Sequence, residues 1–370
     1  MEVNFGRSRP FSLGVEEEFQ ILNDESYELA SRFDEVAEAA GSDERIQPEL
    51  MQSTVEIATG VADSVAEAIE DAGILRARLR DAAAEGGSLI ASAGTHPFSR
   101  YEHQDVSEGK RYAEIVERMQ WIAERELIFG LHVHVGMRSA DEAIAVANAL
   151  RTLLPELLAL SANSPFWHGR GTGLASTRSK VFDSFPRSGL PPAFASWDEF
   201  ELLIERGVKT GSFSDYTFIW WDLRPHPKLG TIEIRICDGQ TRLASVGALV
   251  ALVQSLAATL ADRYAATGTL PIQPVTLVAE NKWRAARYGL DADLVDLEHD
   301  TERSAHDALV ALVELAEPAA QRLGCAAELA EVERICARGN GAIEQRAVYE
   351  ETESLLAVAQ FLTRETTAGL

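Results

Sequence analysis

The sequence predicts an α+β protein whose sheet is covered by helices on one face. Segments of period 2 fall within about the first 240 residues, helical periodicity runs almost unbroken after residue 242, and no linker separates the two. The 370-residue chain is therefore read as one domain, strand-rich over about 11–240 and helical over about 243–363.

Taken in order, Leu13, Val15, Phe19 and Ile21 are apolar at alternate positions, with Glu17 in the remaining place, which predicts a strand over 11–22. Glu16 and Glu18 then share the other face. Like charges at that spacing destabilise a strand, so a cation belongs between them, and a hard divalent metal is the usual one. Further strands are predicted over 52–59, 88–95, 129–137 and 229–237, and helices over 62–85, 109–128, 140–162 and 197–206. Asp63 to Glu85 sets Val65, Ala68, Ile69, Ala72, Leu75 and Leu79 at helical spacing and stops at Gly86-Gly87. Residues 163–195, rich in Gly, Pro, Ser and Arg, are too long for a plain connector, and such loops usually carry function. The remainder reads as helices over 243–266, 275–288, 302–323, 326–338 and 341–363.

Composition narrows the function. Net charge is −24, from 58 acidic and 34 basic residues, which argues against nucleic acid or an anionic membrane as partner. There is no basic-then-apolar leader and no apolar run of the ~20 residues that span a bilayer, so a soluble, cytoplasmic protein is expected. Cys237, Cys325 and Cys336 lack CxxC spacing and read as buried free thiols in a reducing compartment.

Several segments carry charge where a fold alone does not need it. Pro48–Thr59 supplies Glu49 and Glu56, and Glu56 lies between Val55 and Ile57, where an ionised group needs a partner or solvent. His132 and His134 share one strand face. That spacing binds zinc in some hydrolases, which makes a zinc-dependent hydrolase the alternative reading, against structural or substrate-contacting histidines. The glycine-rich loop after Asn163 leads to Arg178, suited to clamping a carboxylate or phosphate, without the Gly-Lys-Ser/Thr of a P-loop. Thr231–Cys237 alternates, with Glu233 and Arg235 on a polar face and Ile232, Ile234 and Ile236 on a core face. Lys282 and Arg284 form a basic helix end that either reaches polyphosphate or simply answers the helix dipole.

Together these pieces resemble the ATP-dependent carboxylate–amine ligases, whose better-known relatives are the type-2 glutamate–cysteine ligases. The resemblance runs from about 11 to 290 and rests on GVEEEF (14–19), ELMQSTVEIAT (49–59), GTHPF (94–98), HVHVG (132–136), NSPFW (163–167) with STRS (176–179), WDLRPHPKLGTIEIR (221–235) and NKWRAARYGL (281–290). It implies a single catalytic domain, 1–370, with a glutamine synthetase-like antiparallel sheet curved around the active site and helices on the outer face. It also implies ATP and Mg²⁺ as cofactors, small-molecule substrates, and a homodimer or larger assembly. Glu16 and Glu18 resemble the paired metal ligands of the first strand, Glu49 and Glu56 a further acidic pair, Glu233 the acid of the late strand, and Glu102 a residue completing a metal site. Arg235 resembles a catalytic or phosphate-binding arginine, and Arg178 one near the substrate. His132 and His134 fall in the amino-acid or nucleotide pocket, with Arg224, Lys282 and Arg284 on the nucleotide. Glu17 lies outside the pattern.

The chemistry suits those residues independently. A carboxylate is a poor electrophile, so amide formation needs phosphoryl transfer from ATP to give an acyl phosphate. That step gathers negative charge, which acids holding two or three Mg²⁺ and nearby arginines position and neutralise. The expected activity is an ATP-dependent ligase joining a carboxylate, foremost the γ-carboxyl of glutamate, to a small amine such as cysteine.

Overall fold

The computed structural model describes residues 1–370, and its centre is an open antiparallel sheet of seven strands. In chain order these are β1 (Leu13–Asn23), β2 (Ile46–Pro48), β3 (Thr54–Ala58), β4 (Ser88–Ala91), β5 (Gly130–Gly136), β6 (Leu223–His226) and β7 (Thr231–Asp238). Six of them lie in the order β6-β7-β5-β1-β3-β2, and β4 pairs with β1 off this row. β1 pairs with β3 along one edge, through Glu16–Gln20. It also pairs with β5 through Leu13–Glu17 and with β4 through Gln20–Asn23. The outermost strands, β2 and β6, hold Pro48 and Pro225, which lack an N–H and are tolerated where the ladder ends.

Alternation sends Leu13, Val15, Phe19, Ile21, Val55, Ile57, Leu131, Val133, Val135, Ile232 and Ile234 to one face, all buried. The helices Val65–Glu85, Ala140–Leu150, Leu154–Ser161, Leu243–Thr267 and Ala305–Leu323 supply the matching apolar surface. Two of the helical stretches, Ala140–Ser161 and Leu243–Thr267, are long and apolar enough to cross a bilayer, contrary to the reading of the sequence. They are core helices, with 83% of their most apolar windows buried.

Glu17 is the exception on this apolar face, and Arg76 explains it. The guanidinium is fully buried and bonds both carboxylate oxygens of Glu17 as well as the carbonyls of Gln240 and Thr241, at 2.9 and 3.0 Å. A buried ion pair survives only when every remaining donor is satisfied. Here the surplus N–H groups tie the helix Val65–Glu85 to the chain leaving β7.

Most expected elements form with shifted ends. The helix expected over 109–128, however, breaks at Gln120, φ +51°, into Lys110–Met119 and Trp121–Glu124, and the one over 326–338 divides into Ala326–Leu329 and Glu331–Arg338. The helices Phe33–Ala39 and Thr177–Phe182 are additions. β2 and β6 are short edge strands without a clear period. A hairpin of Asp293–Asp296 with Thr301–Ser304 replaces the first turn of the helix expected from 302, and Ser304 caps the helix that starts at Ala305. The helix expected over 341–363 is broken by Glu353 at φ +52°, after which Ser354 caps a separate helix, Leu355–Thr367. β7 also carries a register shift between Ile234 and Cys237, so Ile236 and Cys237 both enter the core. A bulge of this kind re-aims the side chain beside it, here Arg235.

Removing one member of the Glu17–Arg76 pair leaves an uncompensated buried charge. Arg76→Met is expected to cost roughly 3–5 kcal/mol in urea unfolding, and Glu17→Leu with Arg76→Met together much less than the single change.

Candidate active site

The open face of the sheet is a strip of charge. Register alone creates it: Glu18 stands directly opposite Glu56, Glu16 opposite His132, and Glu233 opposite both His134 and Arg224. Glu49 joins from the turn between β2 and β3. Glu16, Glu18, Glu49, Glu56, His132 and Arg224, with Arg178 and Arg235, line a cavity of about 200 Å³. A second cavity, of about 210 Å³, shares Glu16 with the first and is lined also by His134.

Each group is held in place. Glu16 Oε2 lies 3.0 Å from His132 Nδ1, and its Oε1 lies 3.2 Å from His134 Nε2. His134 Nδ1 meets Thr231 Oγ1 at 3.0 Å. Glu18 accepts from the Gly130 N–H, and Glu49 accepts from the Leu50 N–H at 3.2 Å. Glu233 accepts from Arg224 Nε at 2.6 Å and from Arg235 Nη1. Both arginine contacts survive burial because the charges are opposite and the bonds charge-assisted.

Burial and mutual repulsion separate these acids into two kinds. Burial works against ionisation of Glu16, but His134 and His132 outweigh it and hold its carboxyl well below the usual range. Glu233 is held low in the same way by Arg224 and Arg235. Burial, then the charge on Glu18, raises Glu49 to about 7. Burial, then Glu16 and Glu49, pushes Glu56 well up. His134 is raised, because Glu16 and Glu233 overcome its burial, whereas His132 is lowered by burial and Arg235. Carboxylates that resist ionising together are short of a cation.

The donor set fits a hard divalent metal. Glu18, Glu49 and Glu56 converge within 4.8 Å, as do Glu16, Glu56 and His132, and Glu16, His134 and Glu233. Each of the two histidines belongs to a different group, and oxygen donors predominate in all three. The His132/His134 pair therefore does not converge on one zinc, which removes the geometric basis of the hydrolase alternative. Both imidazoles stand among carboxylates.

Other sequence candidates are placed differently. Arg224 lines the cavity but is engaged by Glu233 and by the carbonyl of Ile219 at 2.8 Å. Lys282 is buried between Asp183 and Asp222, each at 2.8 Å, and does not reach the cavity. Arg284 bonds Glu280 at 2.9 Å and Glu302 at 2.5 Å, near the surface. Glu102 is exposed on a short turn outside the cavity. The acid found instead is Glu126, together with Arg111 and Tyr112. No sequence period marks them, since they come from a helix and a connecting segment that only tertiary packing brings to the cavity.

The loop motifs prove architectural. Asp238, at the end of β7, accepts from Asn163 N at 2.8 Å, Ser164 Oγ at 2.7 Å and Ser176 Oγ at 2.8 Å. Gly94 packs on the same carboxylate so closely that a Cβ would lie 2.6 Å from it. NSPFW, STRS and GTHPF thus meet at one buried acid, and the knot aims Arg178 at the cavity. His96 is neutral, lowered to about 3 by burial, and accepts from the Ser99 N–H at 2.9 Å.

Comparison with known proteins shows the family and the fold. Residues 12–360 match the glutamate–cysteine ligase family 2. Two proteins of Rubrobacter xylanophilus, provisionally named glutamate–cysteine ligase 2-1 and 2-3, are 44% and 46% identical. The alignments cover 100% and 99% of this chain and 98% and 100% of those proteins. Among solved structures, a glutamate–cysteine ligase of Francisella tularensis, in complex with AMP, superposes with a TM-score of 0.71 at 14% identity, over 98% of this chain and 90% of that one. A bifunctional glutathione synthetase of Pasteurella multocida gives 0.67 at 14% identity, over 97% of this chain and 52% of that one. The fold is the one the sequence resemblance implied.

Protonation and metal binding should compete at this strip. Glu49 titrates near 7 in the folded chain against a usual 4.5, so its stability contribution is full below about 4.5 and lost as pH rises through 7. The metal-free protein is therefore expected to lose thermal stability from pH 5 to 8, and Mn²⁺ to restore it with release of protons, measurable by calorimetry in buffers of different ionisation enthalpy.

Proposed function

The chain belongs to glutamate–cysteine ligase family 2, and on that premise we propose that it joins the γ-carboxyl of glutamate to the amine of cysteine at the expense of ATP. The observation that carries this reading is the interlocking of three ligand groups along one strip, sharing Glu16 and Glu56, with Arg224 and Arg235 fixed on Glu233. Glu18, Glu49 and Glu56 would hold one Mg²⁺, with Glu16, Glu56 and His132, and Glu16, His134 and Glu233, as further sites. Bound Mg²⁺ supplies neutralising charge for the triphosphate and the carboxylate being activated.

The protein's own residues do the rest. Arg235 keeps its Nε free of any partner while Glu233 anchors its other end, leaving a buried donor for the transferring phosphoryl group. The substrate carboxylate oxygen attacks the γ-phosphorus, ADP departs, and the acyl phosphate forms. The free amine nitrogen then attacks the acyl carbon, the acyl C–O bond breaks, phosphate leaves with the proton the nitrogen gives up, and the amide remains. The apolar walls from Ile115, Ile128, Phe182 and Trp220 limit water, which would otherwise hydrolyse the acyl phosphate. The three free cysteines agree with a reducing cytoplasm, where a homo-oligomer is the expected assembly.

The test is ADP release from MgATP and L-glutamate, with and without L-cysteine. Cysteine-dependent release is expected, and its absence with cysteine and every other small amine would overturn the reading. Glu18→Gln is expected to abolish release while leaving the protein folded, with an unfolding midpoint no lower than that of the wild type. Arg235→Ala should lower kcat by about 10²–10⁴, and a change confined to KM would reduce Arg235 to a substrate-binding role.

A further inference from the structure

Apart from the exposed Arg111, which bonds Thr217, the cavity contains two charged side chains that neither the metal groups nor the Glu233 pairs use. Glu126 lines it, yet it belongs to none of the three ligand groups and forms no ion pair or side-chain hydrogen bond. Arg178 faces the same space. Its side chain makes no ion pair and is 3% exposed. It donates only to the carbonyls of Arg235 and Ile236, at 3.2 and 3.3 Å, and its Nε has no partner.

Both side chains are set by the backbone around Gly130. An added Cβ at Gly130 would collide with the Arg178 guanidinium, so only glycine lets the arginine lie against the start of β5. The Gly130 N–H bonds Glu18, and Glu126 lies four residues earlier on the segment entering the same strand. One unpaired anion and one under-bonded cation therefore stand together beside the Glu18–Glu49–Glu56 group.

We propose that Glu126 and Arg178 bind the ammonium and carboxylate groups on the α-carbon of the amino acid whose side-chain carboxyl is activated. Glu126 is then the residue that selects an α-amino acid over a plain dicarboxylate. This rests on the ligase reading above and adds to it the source of substrate selectivity. The chemistry follows from what is left over. An ammonium entering a strip of metal-binding acids needs a carboxylate that the metals do not claim, and Glu126 is the cavity acid outside every ligand group. A charge-assisted bond on each side also fixes the orientation, so that the side-chain carboxyl points along the strip.

The experiment compares L-glutamate with glutarate, which lacks the amine, in the wild-type protein and in Glu126→Gln. Steady-state ADP release with MgATP and L-cysteine should show glutamate preferred in the wild type. In Glu126→Gln the KM for glutamate should rise roughly 10- to 100-fold, as expected for a lost charge-assisted bond. The KM for MgATP and the affinity for Mn²⁺ should stay within about twofold, because the variant touches no metal group. Calorimetric binding of both ligands to the Mn²⁺-loaded protein reads the same selectivity without turnover. Selective binding with no turnover would overturn the ligase reading and leave this inference standing. Equal binding of glutamate and glutarate to the wild type would overturn the inference, as would an unchanged ratio in the variant. A drop of more than about tenfold in Mn²⁺ affinity would also overturn it, making Glu126 a metal ligand.

Discussion

Two carboxylates placed face to face set the terms for the rest of the molecule. Glu18 and Glu56 are direct cross-strand neighbours, and Glu16 and Glu49 crowd them further. An arrangement of this kind opposes folding, so the stability must come from elsewhere. It comes from the other face of the same strands, where an almost unbroken apolar surface is covered by long helices. The sheet can carry a repulsive face because its opposite face is so thoroughly buried.

The positive charges are arranged to limit that repulsion without cancelling it. Arg224 and Arg235 both go to Glu233, and the two histidines both lean on Glu16, leaving Glu18, Glu49 and Glu56 for a cation. Glu17 has a different task. One strand places it on the apolar face between two functional acids, and Arg76 turns it into a fastening between helix and sheet. Three consecutive glutamates thus serve two ends, separated by the pleat.

Much of the candidate site was legible because the strands are short and regular. Period 2 placed Glu16, Glu18, His132, His134, Glu233 and Arg235 on common faces, and the structure brings all six to one strip. Long-range pairing was less legible. Lys282 looked like a cation awaiting phosphate, but Asp183 and Asp222 already hold it, and neither lies near it in the chain. Glu102 followed a recognisable motif whose real work is to pack Gly94 and His96, and its own side chain is left in solvent.

The sequence by itself determined the α+β class, the order of its elements, which residues share a strand face and the family resemblance, since these depend on local period and on ordered motifs. Tertiary structure alone decided that two histidines would serve separate ligand groups, that Asp238 would gather three distant loop segments, and that Glu126 would stand unpaired beside Arg178. Those facts depend on strand register and on which surfaces meet. Both are set by burial summed over the whole chain, and no window of the sequence contains that sum.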